Sequence, residues 1–174
     1  MGLLFLDRVT LTSPTNLVSF DNIPQTGLDL VVKSSVQSST YNNVVMKING
    51  YDLSTGYKNK VLYLRNNPLD GAVADPSGPP VIYGTEVADA NTFGNAETTI
   101  FNYASTYTKQ TISEFAAANS SEGLSYSTVG ISYNSYFPAG YFSSTAAVSR
   151  VDFATITGDF STGSTFSLYI TTED

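Results

Sequence analysis

The sequence predicts an all-β domain, either a sandwich or a barrel, from two observations. Hydrophobic residues recur at every second position in several segments, most clearly at Phe166, Leu168 and Ile170. Alternation with this period places one face of a strand in a core and the other face in water. Turn signals such as Asn49-Gly50 separate the segments. Breaks spaced by roughly 8–12 residues are typical of antiparallel sandwiches and barrels.

The remaining strands are predicted with less regular patterns. Clean alternation also covers three sets of residues, namely Val129, Ile131 and Tyr133, then Leu28, Leu30 and Val32, and finally Val9 and Leu11. Further strand candidates are the segments 44–48, 61–65, 80–83, 98–103, 110–115 and 148–156. In the last of these, Val151 and Phe153 fall on one face and Ile156 on the other, which predicts burial on both faces or a bulge.

Helical signals are confined to one segment. Residues 113–119 (SEFAAAN) contain good helix formers after a Ser113 that suits a helix cap. The same residues suit the end of a strand equally well. The fold prediction is therefore an antiparallel β-domain with at most one short helix.

The length of 174 residues suits a single domain over residues 1–174. Two segments stand apart from the strand pattern. Residues 1–6 form a short apolar N-terminal arm, and residues 66–91 form a long irregular loop that holds four of the seven prolines. Loops of this length in a compact domain usually serve a function or contact a partner.

The composition excludes several classes of chemistry. The chain contains no Cys, His or Trp, so Ser-His-Asp catalysis and histidine- or cysteine-ligated zinc are excluded. The loop acids Asp70, Asp75, Glu86 and Asp89 are interpreted as solvated, with an oxygen-ligated cation or a hydrolytic pair as alternatives. No glycine-rich nucleotide motif occurs. We therefore expect no catalytic residue, no cofactor, no metal site and no enzymatic activity.

Charge and hydropathy exclude two kinds of partner. The net charge is −7, from 8 basic and 15 acidic residues, and only Lys58, Lys60 and Arg65 approach a basic cluster. Nucleic-acid binding is therefore not expected. No apolar run reaches the ~20 residues of a membrane span, and the run Leu3–Leu6 is too short for a signal-peptide core of ~7–15 residues. We expect no membrane partner and folding in the cytoplasm where the chain is made.

Two apolar or aromatic segments are candidates for contact with a partner. One is the N-terminal run, and the other is the turn around Pro138-Ala139-Gly140, where side chains either join the core or face outward. The candidate partner-binding residues are Leu3, Leu4, Phe5, Leu6, Tyr136, Phe137 and Tyr141.

The order of several motifs resembles a group of short virion proteins of tailed phages, many of them from marine or cyanobacterial hosts. The first motif is F-x-x-I-P-x-T, here Phe20, Ile23, Pro24 and Thr26, and the second is the turn Ile48-Asn49-Gly50. The third is the pair of segments STAAVSRVDFATITGDF and GSTFSLY near the end of the chain. The resemblance covers about two-thirds of the chain. It implies a jelly-roll-like β-sandwich, a location in the virion and no catalytic residues.

This resemblance leads to two expected functions. The first is a capsid decoration (cement) protein that binds the major capsid protein or other virion proteins on the outer shell and stabilises the shell. We expect it to be a homo-oligomer, namely a trimer. The second is a tail, baseplate or head-fibre module that binds host-surface glycans. A cellular carbohydrate-binding domain and an enzyme are weaker alternatives, because tryptophan and the usual catalytic side chains are missing.

Overall fold

The computed structural model describes residues 2–39, 44–50, 59–64, 73–75, 81–83, 93–119, 126–134 and 145–173. These residues contain twelve β-strands and no helix, and every pair of neighbouring strands is antiparallel. The predicted all-β, antiparallel fold is therefore confirmed.

The strands are β1 (Gly2–Thr10), β2 (Leu17–Phe20), β3 (Leu30–Val36), β4 (Val44–Ile48), β5 (Asn59–Leu64), β6 (Val73–Asp75), β7 (Val81–Tyr83), β8 (Gly94–Phe101), β9 (Gln110–Asn119), β10 (Tyr126–Asn134), β11 (Val151–Thr155) and β12 (Thr165–Thr172). They form two sheets. The larger sheet has eight strands in the order β1-β12-β3-β8-β9-β10-β5-β6, and the smaller has four in the order β2-β11-β4-β7.

The topology is that of a jelly roll with two added hairpins. The pairs β5–β6 and β9–β10 extend the larger sheet beyond β8. Without them, eight strands remain, and they pair first with last: β1 with β12, β2 with β11, β3 with β8 and β4 with β7. A long antiparallel ribbon that wraps around a core gives this pairing, and the wrapping separates the strands into two four-stranded sheets.

The core lies between these two sheets and is rich in aromatic residues. The rings of Phe153 on β11 and Phe166 on β12 lie 5.2 Å apart across the sheet interface. Phe160 packs edge-to-face on Phe166 at 5.3 Å, and Phe20 packs on Phe153 at 6.4 Å. All four side chains are buried. Offset and edge-on ring pairs of this kind add about 0.5–1.5 kcal/mol each to the gain from burial.

Four predicted segments differ from the structure in detail. Residues 113–119 are the second part of β9, not a helix, because all of them pair with β10 and residues 113–116 also pair with β8. Strand β11 ends at Thr155, so Ile156 lies beyond the strand and is exposed. Within the strand Val151, Asp152 and Phe153 are all buried, so of the two predicted alternatives burial on both faces is confirmed over this part. Residues 2–6 belong to β1 and are not a separate arm, since they pair with β12. In the loop 66–91, the described residues include the short strands β6 and β7.

Candidate protein-interaction site

The edge strand β1 is the candidate site for contact with another chain. One side of β1 pairs with β12, and among the described residues no strand pairs with the other side. An unpaired edge presents backbone N–H and C=O groups that can hydrogen-bond an added strand. Natural edge strands usually limit this with charges, prolines or short length, so the side chains of β1 decide whether its edge is protected.

The first half of β1 is not protected. Leu3, Leu4 and Phe5 are 51%, 52% and 51% exposed, respectively. The other large exposed hydrophobic side chains among the described residues do not adjoin one another in the sequence: Leu17, Tyr107 and Ile156. A continuous apolar stretch on an open strand edge is a typical site for β-strand addition.

Leu6 has a different environment from its three neighbours. The β1–β12 register shifts between Phe5 and Asp7, so Leu6 is the extra residue of a β-bulge. Its side chain is partly buried and packs against the core. Of the four apolar residues predicted at this site, the structure therefore exposes Leu3, Leu4 and Phe5 and turns Leu6 inward.

Leu3 and Phe5 lie on the outer face of the larger sheet, whereas Leu4 lies on the inner face because it pairs with the core residue Ile170. On the outer face, Phe5 begins an apolar row. Phe5 faces Tyr169 on β12, and their rings pack edge-to-face at 5.6 Å. Tyr169 faces Val31 on β3, which is buried although it lies on the outer face. The alternation of STFSLYITT placed Tyr169 on the face opposite to the core, but only the pairing of β1 with β12 shows that it supports Phe5.

A polar row runs beside this apolar row. The register aligns Arg8, Ser167, Lys33, Glu97 and Glu114 across five strands. The Nε of Arg8 donates a hydrogen bond to the Oγ of Ser167 at 2.9 Å, and the Nζ of Lys33 lies 3.0 Å from an oxygen of Glu97. Exposed pairs of this kind contribute only about 0–1 kcal/mol to stability. The polar row therefore bounds the apolar row that begins at Phe5 on one side.

A groove of about 240 Å³ adjoins the bulge on the inner side of β1. It is lined by Leu6, Asp7, Phe20, Asp21, Asn22, Ile23, Pro24 and Leu168. At its rim, the carboxylate of Asp21 lies 3.4 Å from Arg150. Phe20, Ile23 and Pro24 of the F-x-x-I-P-x-T motif thus form one wall of this groove, with Phe20 and Ile23 buried in the core.

Arg150 also accounts for a buried acid on the smaller sheet. Asp152 is only 3% exposed, and the Nε of Arg150 donates to both of its carboxylate oxygens at 2.8 and 3.0 Å. The hydrogen bond and the negative charge of Asp152 raise the pKa of Arg150 above its usual value. The two side chains therefore form a structural pair, because a buried carboxylate requires a charged or hydrogen-bonding partner.

The other predicted site residues, Tyr136, Phe137 and Tyr141, lie outside the described residues. The same holds for the loop acids Asp70, Glu86 and Asp89. Within the described ranges, no group of three or more acidic residues could hold a metal ion. In that same part of the chain, no helix is long and apolar enough to cross a membrane.

Comparison with models of protein families, with curated proteins and with solved structures finds no match to this chain. The fold and the open apolar edge of β1 are therefore the observations from which a function can be argued.

Proposed function

We propose that this chain is a structural protein of a tailed-phage virion, and specifically a capsid decoration protein that binds neighbouring chains on the outer shell. It is made in the host cytoplasm and acts in the assembled particle. Its partners are the major capsid protein or other virion proteins, and it works as a homo-oligomer.

The observation that carries this proposal is the apolar edge of β1. Leu3, Leu4 and Phe5 are about half exposed on a strand whose outer edge has no partner among the described residues. In a chain that acts alone, such an edge would favour aggregation. In a subunit of a larger assembly, the same edge is a docking surface, since a neighbouring chain covers it.

The fold and the sequence motifs support the same proposal. Double-sheet jelly rolls recur in viral capsid proteins and in lectins. The fold alone does not define a function, because one architecture serves many roles. The resemblance of the F-x-x-I-P-x-T and I-N-G motifs to phage virion proteins adds a reason to prefer the virion role over the lectin role.

A decoration protein stabilises a shell by linkage. Each copy binds the assembled capsid and not its free subunits, so binding shifts the equilibrium toward the assembled state by an amount that depends on concentration and affinity. Many copies, each with a small interface, can therefore strengthen a shell under internal pressure. A small edge such as that of β1 suits this mode of action.

The test is co-sedimentation of the purified chain with purified capsids that lack it. We expect saturable binding and a higher temperature of capsid disruption. Leu4→Lys should weaken this binding at least tenfold, because it places a charge in the apolar edge. Ile156→Lys is the matched control, since Ile156 is 53% exposed and Leu4 is 52% exposed.

Point substitution is preferable to deletion of residues 1–6. Deletion would also remove Leu6, which packs on the core, and would confuse lost binding with lost stability. Absence of capsid binding by the unmodified chain would overturn the proposal. Specific binding to host-surface glycans, together with no capsid binding, would support the tail or head-fibre module instead.

A further inference from the structure

We infer that the β1 edge binds a second copy of this chain, with the two β1 strands antiparallel around a two-fold axis. The two eight-stranded sheets then become one continuous sheet. This inference deepens the assembly role proposed above by naming the occupant of the edge. It does not depend on a capsid, since it concerns only the chain and its copy.

The backbone hydrogen bonds define which groups of β1 face the open edge. The N–H of Thr171 donates to the carbonyl of Asp29, and the N–H of Leu28 donates to the carbonyl of Thr171. Thr171 is therefore bonded toward β3, and its neighbour Ile170 is bonded toward β1. Because Ile170 pairs with Leu4, the backbone groups of Leu4 point to β12, and those of Leu3 and Phe5 point to the open edge.

The open stretch ends at the bulge. By the same alternation, Arg8 directs its N–H to the open edge, because it pairs with Ser167. That N–H is already bonded to the Oδ1 of Asp7 at 2.7 Å. The edge available to another strand is therefore the apolar stretch Leu3–Phe5, and the charged residues Asp7 and Arg8 mark its limit.

One two-fold register satisfies both the backbone and the side chains. When the axis passes through Leu4, Leu3 of each copy faces Phe5 of the other, and all their open N–H and C=O groups are paired. Leu4 then faces Leu4 as a non-hydrogen-bonded pair, in which the Cα atoms lie about 4.5 Å apart. On the outer face, each Leu3 packs beside the Phe5 of the other copy, next to that copy's Tyr169.

Neighbouring registers are worse. A two-fold axis through Phe5 places Leu3 opposite Asp7 at the bulge, where a carboxylate would be covered by an apolar side chain. A two-fold axis through Leu3 separates Phe5 from the Leu3 of the second copy, so Phe5 loses its apolar contact with that residue. The edge is thus self-complementary in only one of these arrangements, and this self-complementarity argues for a second copy over an unlike chain.

Charge and area are consistent with a weak dimer. The stretch Leu3–Phe5 carries no charged side chain, so no like charges face each other within it. Six half-exposed side chains, at roughly 100 Å² each, provide about 600 Å² of apolar contact. Stable interfaces bury about 1,200–2,000 Å² in total. We therefore expect weak, concentration-dependent association, strengthened where many copies share one surface. The two-fold pair gives a dimer, in place of the trimer expected from the sequence.

The absence of cysteine from the chain allows a direct test. Leu4→Cys places one thiol on the two-fold axis, where the Cα separation suits a disulfide. We expect it to form covalent dimers under mild oxidation at least tenfold faster than Ile156→Cys, the control of equal exposure. Leu3→Cys tests the register, since its thiol faces Phe5 of the second copy and should cross-link more slowly than that of Leu4→Cys.

Sedimentation of the unmodified chain completes the test. We expect a monomer–dimer equilibrium that Leu4→Lys weakens at least tenfold and Ile156→Lys leaves unchanged. Equal cross-linking of Leu4→Cys and Ile156→Cys would overturn the inference, as would a chain that stays monomeric or forms trimers. A monomer that still binds capsids through β1 would overturn only the self-pairing. A dimer that binds no capsid would overturn only the decoration role.

Discussion

Replacement of Asn49 tests how the turn after β4 is attached to the segment that leads into β11. Its Oδ1 accepts hydrogen bonds from the backbone N–H groups of Ser149 and Arg150 at 2.9 and 3.1 Å, and its Nδ2 donates to the carbonyl of Ala147 at 2.9 Å. Asn49 also has a positive φ of 52°, followed by Gly50 at 70°. The side chain therefore fixes the segment that leads into β11 to the turn at the end of β4.

Three variants separate the contribution of the side chain from that of the backbone. Asn49→Gly keeps the positive φ and loses three hydrogen bonds to backbone groups, together with a long one of 3.5 Å from the Ser149 hydroxyl. We expect a loss of about 2–3 kcal/mol, at roughly 0.5–1.5 kcal/mol for each backbone bond. Asn49→Ala should lose about 1–2 kcal/mol more than Asn49→Gly, because alanine carries a Cβ atom at positive φ without the short polar side chain that lets asparagine adopt this conformation. Asn49→Asp keeps the oxygen that accepts both N–H bonds, but it replaces the Nδ2 donor with an oxygen that faces the Ala147 carbonyl. We therefore expect a loss of about 1–2 kcal/mol.

Urea unfolding of the four proteins measures these differences. The expected order of stability is the unmodified chain, then Asn49→Asp, Asn49→Gly and Asn49→Ala. A difference of about 0.5 kcal/mol is the net value of one weak hydrogen bond. If the free energy of unfolding of Asn49→Gly differs from that of the unmodified chain by less than this, the side chain does not hold the segment before β11. Equal stability of Asn49→Gly and Asn49→Ala would show that the positive φ at position 49 does not strain an alanine side chain.

Three further substitutions have defined outcomes. Gly27→Ala would place a Cβ atom 2.7 Å from the Cβ of Ile170, and we expect a loss of about 1–3 kcal/mol and a lower melting temperature in calorimetry. Tyr103→Phe removes a hydroxyl that donates to the carbonyl of Pro24 and accepts from the N–H of Gly27, and urea unfolding should show a loss of about 1–2 kcal/mol, whereas no loss would mean that these bonds add nothing. Burial lowers the pKa of Lys109 below the 10.5 of a free lysine, so the unfolded chain binds this proton more firmly. The resulting destabilisation is present below the lowered pKa and is relieved as the pH rises to 10.5. The free energy of unfolding of Lys109→Met should therefore rise less with pH than that of the unmodified chain. An identical rise would contradict a lowered pKa of Lys109 in the folded chain.

The strand pattern was predictable wherever one face of a strand is buried. In β12, Phe166, Leu168 and Ile170 are buried as their alternation predicts. The segment 113–119 was not predictable, because its alanines favour a helix locally and only its pairing with the distant strand β10, and with β8 over residues 113–116, makes it a strand. The order of the strands in the sheets depends on contacts between distant segments, which local patterns do not encode.

The candidate site was predictable as a segment but not as a surface. The apolar composition of residues 3–6 marked the segment, and the structure exposes three of its residues. The inward turn of Leu6 follows from a bulge against Leu168 on the distant strand β12. The contact between Phe5 and Tyr169 depends on the same pairing. A local sequence pattern cannot specify either contact, because both depend on the register between the first and the last strand.

The most direct test of the central claim is amide hydrogen exchange at Leu3 and Phe5 in the free and assembled states. In the free chain these two N–H groups face the open edge and should exchange rapidly, while the N–H of Leu4, bonded to β12, exchanges slowly. When a neighbouring strand is added at β1, exchange at Leu3 and Phe5 should slow markedly. Rapid exchange at both residues in the assembled state would contradict assembly through this edge.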